Sequence, residues 1–180
     1  MTDKNIKKEY DETVYDNYTA QRELAAYNLT DYLWDKIYKI DLWDGARFSD
    51  LSVAEDMEIM YKIFARVKQV GFVKEKLYNY FQRANSAVHT HSIDRVEDTF
   101  MVYKNRFEYY TKVCLDVTDL QEKELVKLAY YVCVTPSDEK RDEILESAHD
   151  TIKQYSAIPE VSFKGKVKYF VLKSILTIKE

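Results

Sequence analysis

The residue types best suited to chemistry are concentrated between Asp31 and Asp56. This stretch contains both tryptophans of the chain, Trp34 and Trp43, and one of its three glycines. It ends in the adjacent carboxylates of Glu55 and Asp56. Carboxylates take up and release protons, and indole rings offer broad apolar faces to a ligand. The stretch is therefore the first place in the sequence to look for a functional site.

The acidic pair also fits a purely structural role. Ser52 and Glu55 have the spacing of a capping box, in which a serine and a glutamate three residues later satisfy backbone N–H groups at a helix start. Apolar residues follow at helical spacing, so we predict a helix over residues 52–69. The partial positive charge of its N-terminus should keep Asp56 ionised and fixed in place.

Four further side chains each have two interpretations. Trp34 and Trp43 could stack on a sugar ring, but aromatic residues at such spacing more often belong to a core, with Trp34 the better candidate for stacking. Lys36 and Arg83 could contact a phosphate group, although most isolated basic residues are simply solvated.

Two histidines, His89 and His91, lie in a polar segment that we predict to be a loop. Either could be a metal ligand. No cysteine or carboxylate cluster accompanies them, and pairs of this kind are also common in exposed loops. Both interpretations stay open.

Composition narrows the class of protein. The chain has 180 residues, 46% of them hydrophobic, which is enough for one core or one core with a helical appendage. A net charge of −4 gives no reason to expect nucleic acid as a partner. The sequence has only three glycines and no Gly-rich loop, which argues against the usual mode of binding nucleotide phosphates. Cys114 and Cys133 are predicted to be buried thiols in a reducing compartment.

The elements predicted to position the candidate residues are mostly helices. Apolar periodicity and helix-end signals predict helices over residues 14–27, 94–113, 120–134, 137–155 and 163–178, besides the helix over 52–69. Tyr32 to Trp43 is predicted to be a short extended piece that runs into a helix, which Asp44-Gly45 ends.

A change of apolar period after residue 69 predicts strands. Residues 70–73 and 77–83 indicate two short strands around a charged turn, that is, a β-hairpin. The predicted fold is therefore mainly α with a short β-hairpin, an α+β protein. We expect a disordered arm over 1–12, a mixed segment over 13–92 and a helical region over 93–180.

Several short motifs follow one another between residues 32 and 86. They are Tyr32-Leu33-Trp34-Asp35-Lys36-Ile37-Tyr38-Lys39, Arg47-Phe48, Ala54-Glu55-Asp56, Phe72 to Arg83, and Asn85-Ser86. Their order and spacing resemble the C-terminal half of family 2 glycosyltransferases of the GT-A fold, in particular the bacterial enzymes that build capsular and other surface polysaccharides. These enzymes typically carry a Trp-Asn/Asp-Lys-Leu-Tyr stretch, an Arg-Phe pair, a Glu-Asp at a helix start, and a Tyr-Tyr-Tyr-Arg-like strand followed by Asn-Ser.

The resemblance implies a partial GT-A-like portion over 13–92 followed by a helical bundle. It implies transfer of a sugar from a nucleotide-sugar to an acceptor hydroxyl, with inversion, in capsular or exopolysaccharide synthesis. The family's aspartate in Glu-Asp is usually the general base, which corresponds to Asp56 with Glu55 beside it. An alcohol is a poor nucleophile at neutral pH, so a carboxylate within reach takes its proton. The implied substrate-binding residues are Trp34, Asp35, Lys36 and Arg83.

The sequence also departs from the family. Its members bind the nucleotide through a preceding half that ends in an Asp-x-Asp motif for a divalent metal, and this sequence has no Asp-x-Asp. We therefore expect an acceptor-side part, truncated or split from its donor half, that is inactive without a donor-half polypeptide. Mg²⁺ or Mn²⁺ is expected only in the complete enzyme, where His89 or His91 could be a ligand. The alternative is a non-catalytic helical module that binds a partner protein.

The last segment of the sequence is basic and amphipathic. Residues 163–180 contain five lysines and one glutamate, and their apolar residues can share one side of a helix. Such a segment could lie on the anionic cytoplasmic face of the inner membrane. It could equally pack on the two preceding helices with its lysines in water. The sequence contains neither a long apolar run nor a signal-peptide core, so we expect a cytoplasmic protein, peripheral to the membrane in the first case.

Overall fold

The computed structural model describes residues 14–73, 75, 77–79, 81, 93–113, 115–135 and 141–155. The predictions of an arm over 1–12, a loop over 84–92 and a helix over 163–178 lie outside these residues. So do three of the candidate site residues, Arg83, His89 and His91.

The described chain is mostly helical and contains one small antiparallel sheet, an α+β arrangement. Its main elements are β1 (Val14–Asp16), α1 (Asn17–Ala25), α2 (Glu55–Phe64), β2 (Gln69–Gly71), α3 (Ile93–Val113), α4 (Thr118–Val134) and α5 (Asp142–Gln154). Short 3₁₀ helices cover Ile40–Trp43 and Leu115–Val117. Within the described residues, no helix combines the length and apolar character needed to cross a membrane.

The sheet is not the predicted hairpin. β2 pairs antiparallel with β1, with Tyr15 opposite Val70, and the described residues of 77–83 are not in a strand. The Tyr15 ring also packs edge-on against Phe72 at 4.7 Å between centroids. The partner of β2 is therefore β1, residues 14–16, and the predicted hairpin was wrong.

The first helix is correspondingly shorter than predicted. Residues 14–16 form β1 instead of a helical turn, and α1 begins at Asn17. Asp16 caps this helix, because its Oδ1 accepts a hydrogen bond of 2.8 Å from the N–H of Thr19. An effective cap at Asp16 explains why the helix starts there and leaves the preceding residues free to pair as a strand.

The predicted capping box at Ser52 was also wrong. The N–H and Oγ of Ser52 both donate to Oδ2 of Asp98, at 2.8 and 2.7 Å. Helix α2 begins later, at Glu55, directly after Ala54 in the left-handed conformation with φ of 63°. The side chain of Ser52 is therefore hydrogen-bonded to a carboxylate 46 positions away and does not cap the helix, contrary to what the local pattern predicts.

Helix α3 is common to both hydrophobic clusters. Its residues Phe100 and Phe107 pack with α4 and α5, in a cluster that includes Leu125, Ala129, Ile144 and Ala148. Its residue Tyr110 packs with α1 and α2, in a cluster that includes Ala20, Leu24, Met60 and Phe64. Helices α3 and α4 lie close to their predicted positions, since their apolar spacing is local information, whereas α5 begins at Asp142 and not at the predicted residue 137.

A buried arginine connects the chain after α1 to α3. Arg106 is fully buried, and its Nη1 contacts both carboxylate oxygens of Asp31, at 2.9 and 2.8 Å. Its Nη2 donates to the carbonyl of Leu24 at 2.6 Å. The guanidinium also lies over the rings of Tyr27 and Tyr110, 5.3 and 5.6 Å from their centroids. The segment after α1 is therefore fixed to the middle of α3.

A second polar network fixes the start of α5 and the loop before α2. Arg141 pairs with Glu97 at 2.6 Å and with Asp98 at 2.8 Å, and Asp98 also accepts both hydrogen bonds from Ser52. Burial alone would raise the pKa of Asp98, but the hydrogen bonds from Arg141 and Ser52 lower it below its ordinary value. Ionised Asp98 therefore stabilises the fold.

Replacing the buried guanidinium should destabilise the protein strongly. Arg106→Leu leaves Asp31 without its cation in a partly desolvated position, and it leaves the Leu24 carbonyl without its donor. Removing one partner of a buried pair costs about 3–5 kcal/mol, so the midpoint of urea unfolding should fall sharply. The control is Arg22→Leu, which removes an exposed ion pair with Asp116 and should change the midpoint much less. Equal midpoints for Arg106→Leu and the parent would contradict the central role of Arg106.

The contribution of Asp98 should depend on pH. Because folding lowers the pKa of Asp98, its ionised form stabilises the folded state fully above about pH 5, and this contribution disappears as the pH falls through the folded pKa. Asp98→Asn should therefore unfold at lower urea concentration near neutral pH, with the difference from the parent shrinking below about pH 4.

The matched control is Asp94→Asn, in the first turn of the same helix. The exposed Asp94 carboxylate makes no hydrogen bond or ion pair with other described residues. Near neutral pH, Asp94→Asn should lower the urea midpoint much less than Asp98→Asn does. A difference for Asp98→Asn that grows on acidification would reverse the expected sign.

Candidate functional site

The structure brings part of the predicted site together. Asp35, Lys36 and Asp56 lie close enough for their charges to influence one another or a common neighbour, near the N-terminus of α2. Two residues outside the predicted set, Asp31 and Tyr38, belong to the same neighbourhood. The site is therefore the meeting point of the chain after α1 and the first turn of α2.

Lys36 closes the loop that precedes the 3₁₀ helix. Its Nζ donates to the carbonyls of Thr30 and Tyr32, at 2.7 and 2.8 Å, and pairs with Asp35 at 2.6 Å. The hydroxyl of Thr30 donates to the other oxygen of Asp35. Burial lowers the pKa of Lys36, although the surrounding carboxylates oppose this. These contacts occupy the ammonium hydrogens, so Lys36 and Asp35 define the shape of the loop.

Asp56 is the second residue of α2 and is half-buried. Its Oδ1 accepts a hydrogen bond of 2.7 Å from the N–H of Met57. Burial raises the pKa of Asp56 above its ordinary value, and the negative charges of Glu55 and Asp31 add to the rise, which outweighs the Met57 hydrogen bond. The direction is opposite to the one expected from the helix N-terminus, because burial outweighs the helix dipole here.

Asp31 supplies a second buried carboxylate. Its side chain is held by Arg106, and burial raises its pKa even though the guanidinium opposes the rise. Asp31 also adds negative charge near both Lys36 and Asp56. The site thus combines three aspartates, Asp31, Asp35 and Asp56, with one lysine, and its local charge is negative.

Tyr38 links the loop to α2. Its hydroxyl lies 3.8 Å from the sulfur of Met60, one helical turn after Asp56. Burial raises the pKa of Tyr38, and the carboxylates of Asp35 and Asp56 add to the effect, so the phenol stays protonated as a hydrogen-bond donor. Its ring packs edge-on against Trp43 at 5.3 Å.

An exposed group of aromatic rings borders the loop. Trp34 is 39% exposed and stacks with Tyr32 at 5.0 Å and with Tyr78 at 4.6 Å between centroids. Trp34 is therefore a surface residue, whereas Trp43 is half-buried against Tyr38 and Phe48. We call Tyr32, Trp34 and Tyr78 the aromatic patch.

Glu55 differs from its neighbour Asp56. It is the first residue of α2, and its side chain is exposed. Its contribution to the site is the negative charge that helps to raise the pKa of Asp56. Of the two predicted catalytic carboxylates, only Asp56 is half-buried.

Sequence reasoning missed Asp31, Tyr38 and Arg106 as parts of the site. Asp31 and Tyr38 flank the Trp34-Asp35-Lys36 motif, so their proximity to it was the available signal. Arg106 lies 75 positions from Asp31, in a helix with other basic residues, and no local pattern distinguishes it. Among the described residues, no group of three or more His, Cys, Asp or Glu side chains is arranged to hold a metal ion.

A scan of protein-family models found no match to this chain. Comparisons with curated proteins and with solved structures also found no significant match. The chemistry of the site is therefore inferred from the residues and geometry given above.

Replacing Lys36 should loosen the loop. Lys36→Met removes the donor to the carbonyls of Thr30 and Tyr32, and we expect a loss of stability of about 1–3 kcal/mol because these bonds involve a charged group. Urea unfolding measures the loss, and amide hydrogen exchange should be faster over residues 30–36.

Lys39→Met is the matched control. Lys39 is exposed three residues further on, and its side chain makes no hydrogen bond or ion pair with other described residues, so its loss should change neither quantity appreciably. If Lys36→Met and Lys39→Met behave alike, Lys36 does not hold the loop.

Proposed function

We propose that this chain forms the acceptor side of an inverting sugar-transfer site, with Asp56 as the general base. The single observation that carries the proposal is the half-buried Asp56 carboxylate, with a raised pKa, at the N-terminus of α2. The motif resemblance to family 2 glycosyltransferases of the GT-A fold gives this carboxylate its role. The proposed product class is a bacterial capsular or other surface polysaccharide.

The environment of Asp56 suits proton removal from an alcohol. A general base works best when its pKa approaches the working pH, because it is then ionised and still attracts a proton. Burial and the charges of Glu55 and Asp31 move the pKa of Asp56 in that direction. The N–H of Met57 holds one carboxylate oxygen, Oδ1, in place.

The aromatic patch supports the proposal of a sugar acceptor. Sugar rings have apolar faces, and exposed indole and phenol rings provide flat apolar surface with polar edges. Trp34 belongs to the same loop as Asp35 and Lys36, whose hydrogen bonds fix its course. In this proposal Asp35 and Lys36 are positioning residues, and Trp34 contacts the acceptor.

The donor side of the reaction would come from a donor-half polypeptide. In the proposal that part binds the nucleotide-sugar with Mg²⁺ or Mn²⁺. Arg83, His89 and His91 lie outside the described residues and keep the roles that the resemblance implies, contact with a donor phosphate and metal ligation. The reaction takes place in the cytoplasm, where nucleotide-sugars are made, at the membrane face if the acceptor is lipid-linked.

A protein-interaction module is the second candidate, and exposed aliphatic side chains favour it. Ile37 is fully exposed and Ile40 is 85% exposed, on either side of Tyr38. Exposed apolar residues this close together are typical of a surface that another protein covers. The two candidates differ in what they require of Asp56, since an interaction module has no need for its carboxylate.

Asp56→Asn tests the proposal. When the chain is combined with the donor part of a related enzyme, fused or in trans, sugar transfer should be restored. Asp56→Asn should then reduce the transfer rate by about 10²–10⁴-fold, the usual contribution of a general base. Radiolabelled sugar incorporation measures the rate, and circular dichroism checks that the helices are retained.

Two control variants sharpen the test. Glu55→Gln retains the Asp56 carboxylate and should lose far less activity, and Asp50→Asn changes an exposed acid elsewhere and should lose none. Full activity in Asp56→Asn would exclude Asp56 as the base. Absence of transfer from every parent combination would favour the interaction module.

A further inference from the structure

A groove lies between α3 and α5, away from the proposed sugar-transfer site. Its volume is about 300 Å³. Phe107 of α3 and Leu125 of α4, both buried, line its base. Tyr155, directly after α5, lines it as well and packs edge-on against Phe107 at 5.5 Å between centroids. The base of the groove is thus apolar and partly aromatic.

The rim of the groove is acidic. Glu108 of α3 and Glu143, Glu146 and Asp150 of α5 line it, and the three α5 residues follow one another at spacings of three and four along one helix face. Within the described residues, none of these four carboxylates makes a hydrogen bond or an ion pair. Of the described residues that line the groove, Lys104 alone is cationic, and its Nζ donates to Ser147 Oγ at 2.7 Å.

Acids stacked on one helix face repel one another, each close pair costing a few tenths of a kcal/mol. A cationic, partly apolar occupant would remove this repulsion and cover the apolar base of the groove. The chemistry of the groove therefore specifies a segment with lysines on one side and aliphatic or aromatic residues on the other.

The chain itself contains such a segment. Residues 163–180 carry a charge of +4 from five lysines and one glutamate, while the whole chain carries −4, so residues 1–162 carry −8. The apolar residues of the segment are Phe163, Val167, Tyr169, Phe170, Val171, Leu172, Ile175, Leu176 and Ile178. Charge and apolar character both complement those of the groove.

The connection is long enough for this segment to reach the whole groove. Residues 156–163 join Tyr155 to the first lysine, and eight extended residues span up to roughly 26 Å. The part of α5 from Glu143 to Tyr155 that lines the groove is about 18 Å long. The segment can therefore return along α5 in the antiparallel direction without distorting the helix.

We propose that the basic segment Lys164–Lys179 docks in the groove between α3 and α5. Its apolar side covers Phe107, Leu125 and Tyr155, and its lysines pair with the carboxylates of the rim. This proposal does not depend on the proposed sugar-transfer function. It also opposes the membrane interpretation of the same segment, because lysines paired with the rim are not available to anionic lipid.

Zero-length crosslinking of the full chain tests the docking. A carbodiimide joins a lysine amine to a carboxylate only when the two are in contact. Mass spectrometry of the crosslinked protein should find Lys164, Lys166, Lys168 or Lys173 joined to Glu108, Glu143, Glu146 or Asp150. Equal amounts of ¹⁴N- and ¹⁵N-labelled chain, mixed before the reaction, identify links between two copies.

A charge-reversed variant and a matched control complete the experiment. Glu146→Lys/Asp150→Lys should reduce the links to the remaining acids Glu143 and Glu108 by about tenfold, because attractions between exposed charges become repulsions. Asp44→Lys/Asp50→Lys makes the same change of net charge at exposed positions outside the groove and should leave the links intact.

Three results would overturn the proposal. The first is the absence of links between the segment and the groove in the parent chain. The second is an equal yield of these links in the two charge-reversed variants. The third is a predominance of links that join a ¹⁴N chain to a ¹⁵N chain, which would place the segment on a second copy.

Discussion

The buried ion pair between Arg106 and Asp31 is the interaction on which the rest of the structure depends. Moving a guanidinium out of water costs several kcal/mol, and the cost is offset only where charge and hydrogen bonds are well placed. For Arg106 the two terminal nitrogens are compensated by Asp31 and the Leu24 carbonyl, two tyrosine rings face the guanidinium, and only Nε is buried without a hydrogen-bond partner among the described residues. Because Arg106 lies on α3, which contributes residues to both hydrophobic clusters, the pair fixes the N-terminal elements against the helical region. The loop that contains Trp34, Asp35 and Lys36 starts at Asp31, so its position follows from the same pair.

The electrostatics of the candidate site follow from this constraint. Asp31 is held in a desolvated position by Arg106, and from there its charge reaches Asp56 and Lys36. A carboxylate at a helix N-terminus would ordinarily have a lowered pKa. The pKa of Asp56 is instead raised, because burial is the largest contribution and the charges of two neighbouring acids add to it. A residue distant from any proposed chemistry, Arg106, therefore helps to determine the basicity of the carboxylate through Asp31.

The parts of the fold that sequence predicted correctly depend on local information, and the errors concern long-range choices. Helices α3 and α4 were predicted within a few residues because apolar spacing along one segment is enough to define an amphipathic helix. Ser52 matched a capping box locally, yet it bonds Asp98 on another helix. Strand β2 was assigned to a hairpin with the segment that follows it, yet it pairs with residues 14–16. At the site, Asp35, Lys36 and Asp56 were identifiable from motif spacing. Arg106 was not, since nothing near it in sequence indicates a carboxylate 75 positions away.

The position of α3 explains how one small protein can present two surfaces of different character. The cluster that α3 forms with α4 and α5 borders the acidic groove. The cluster that α3 forms with α1 and α2 borders the loop of the candidate site. Both surfaces are rich in carboxylates, but they differ in how these are held. At the site Arg106 holds Asp31 in a desolvated position, and Lys36 pairs with the exposed Asp35, so both charges are fixed in place. At the groove the carboxylates are unpaired within the described residues and lie around an apolar base. Fixed, half-buried acids suit proton transfer, whereas unpaired acids around an apolar base suit a basic amphipathic segment. The net charge of −4 does not distinguish these two kinds of carboxylate. They differ only in the partners that each one has in the structure.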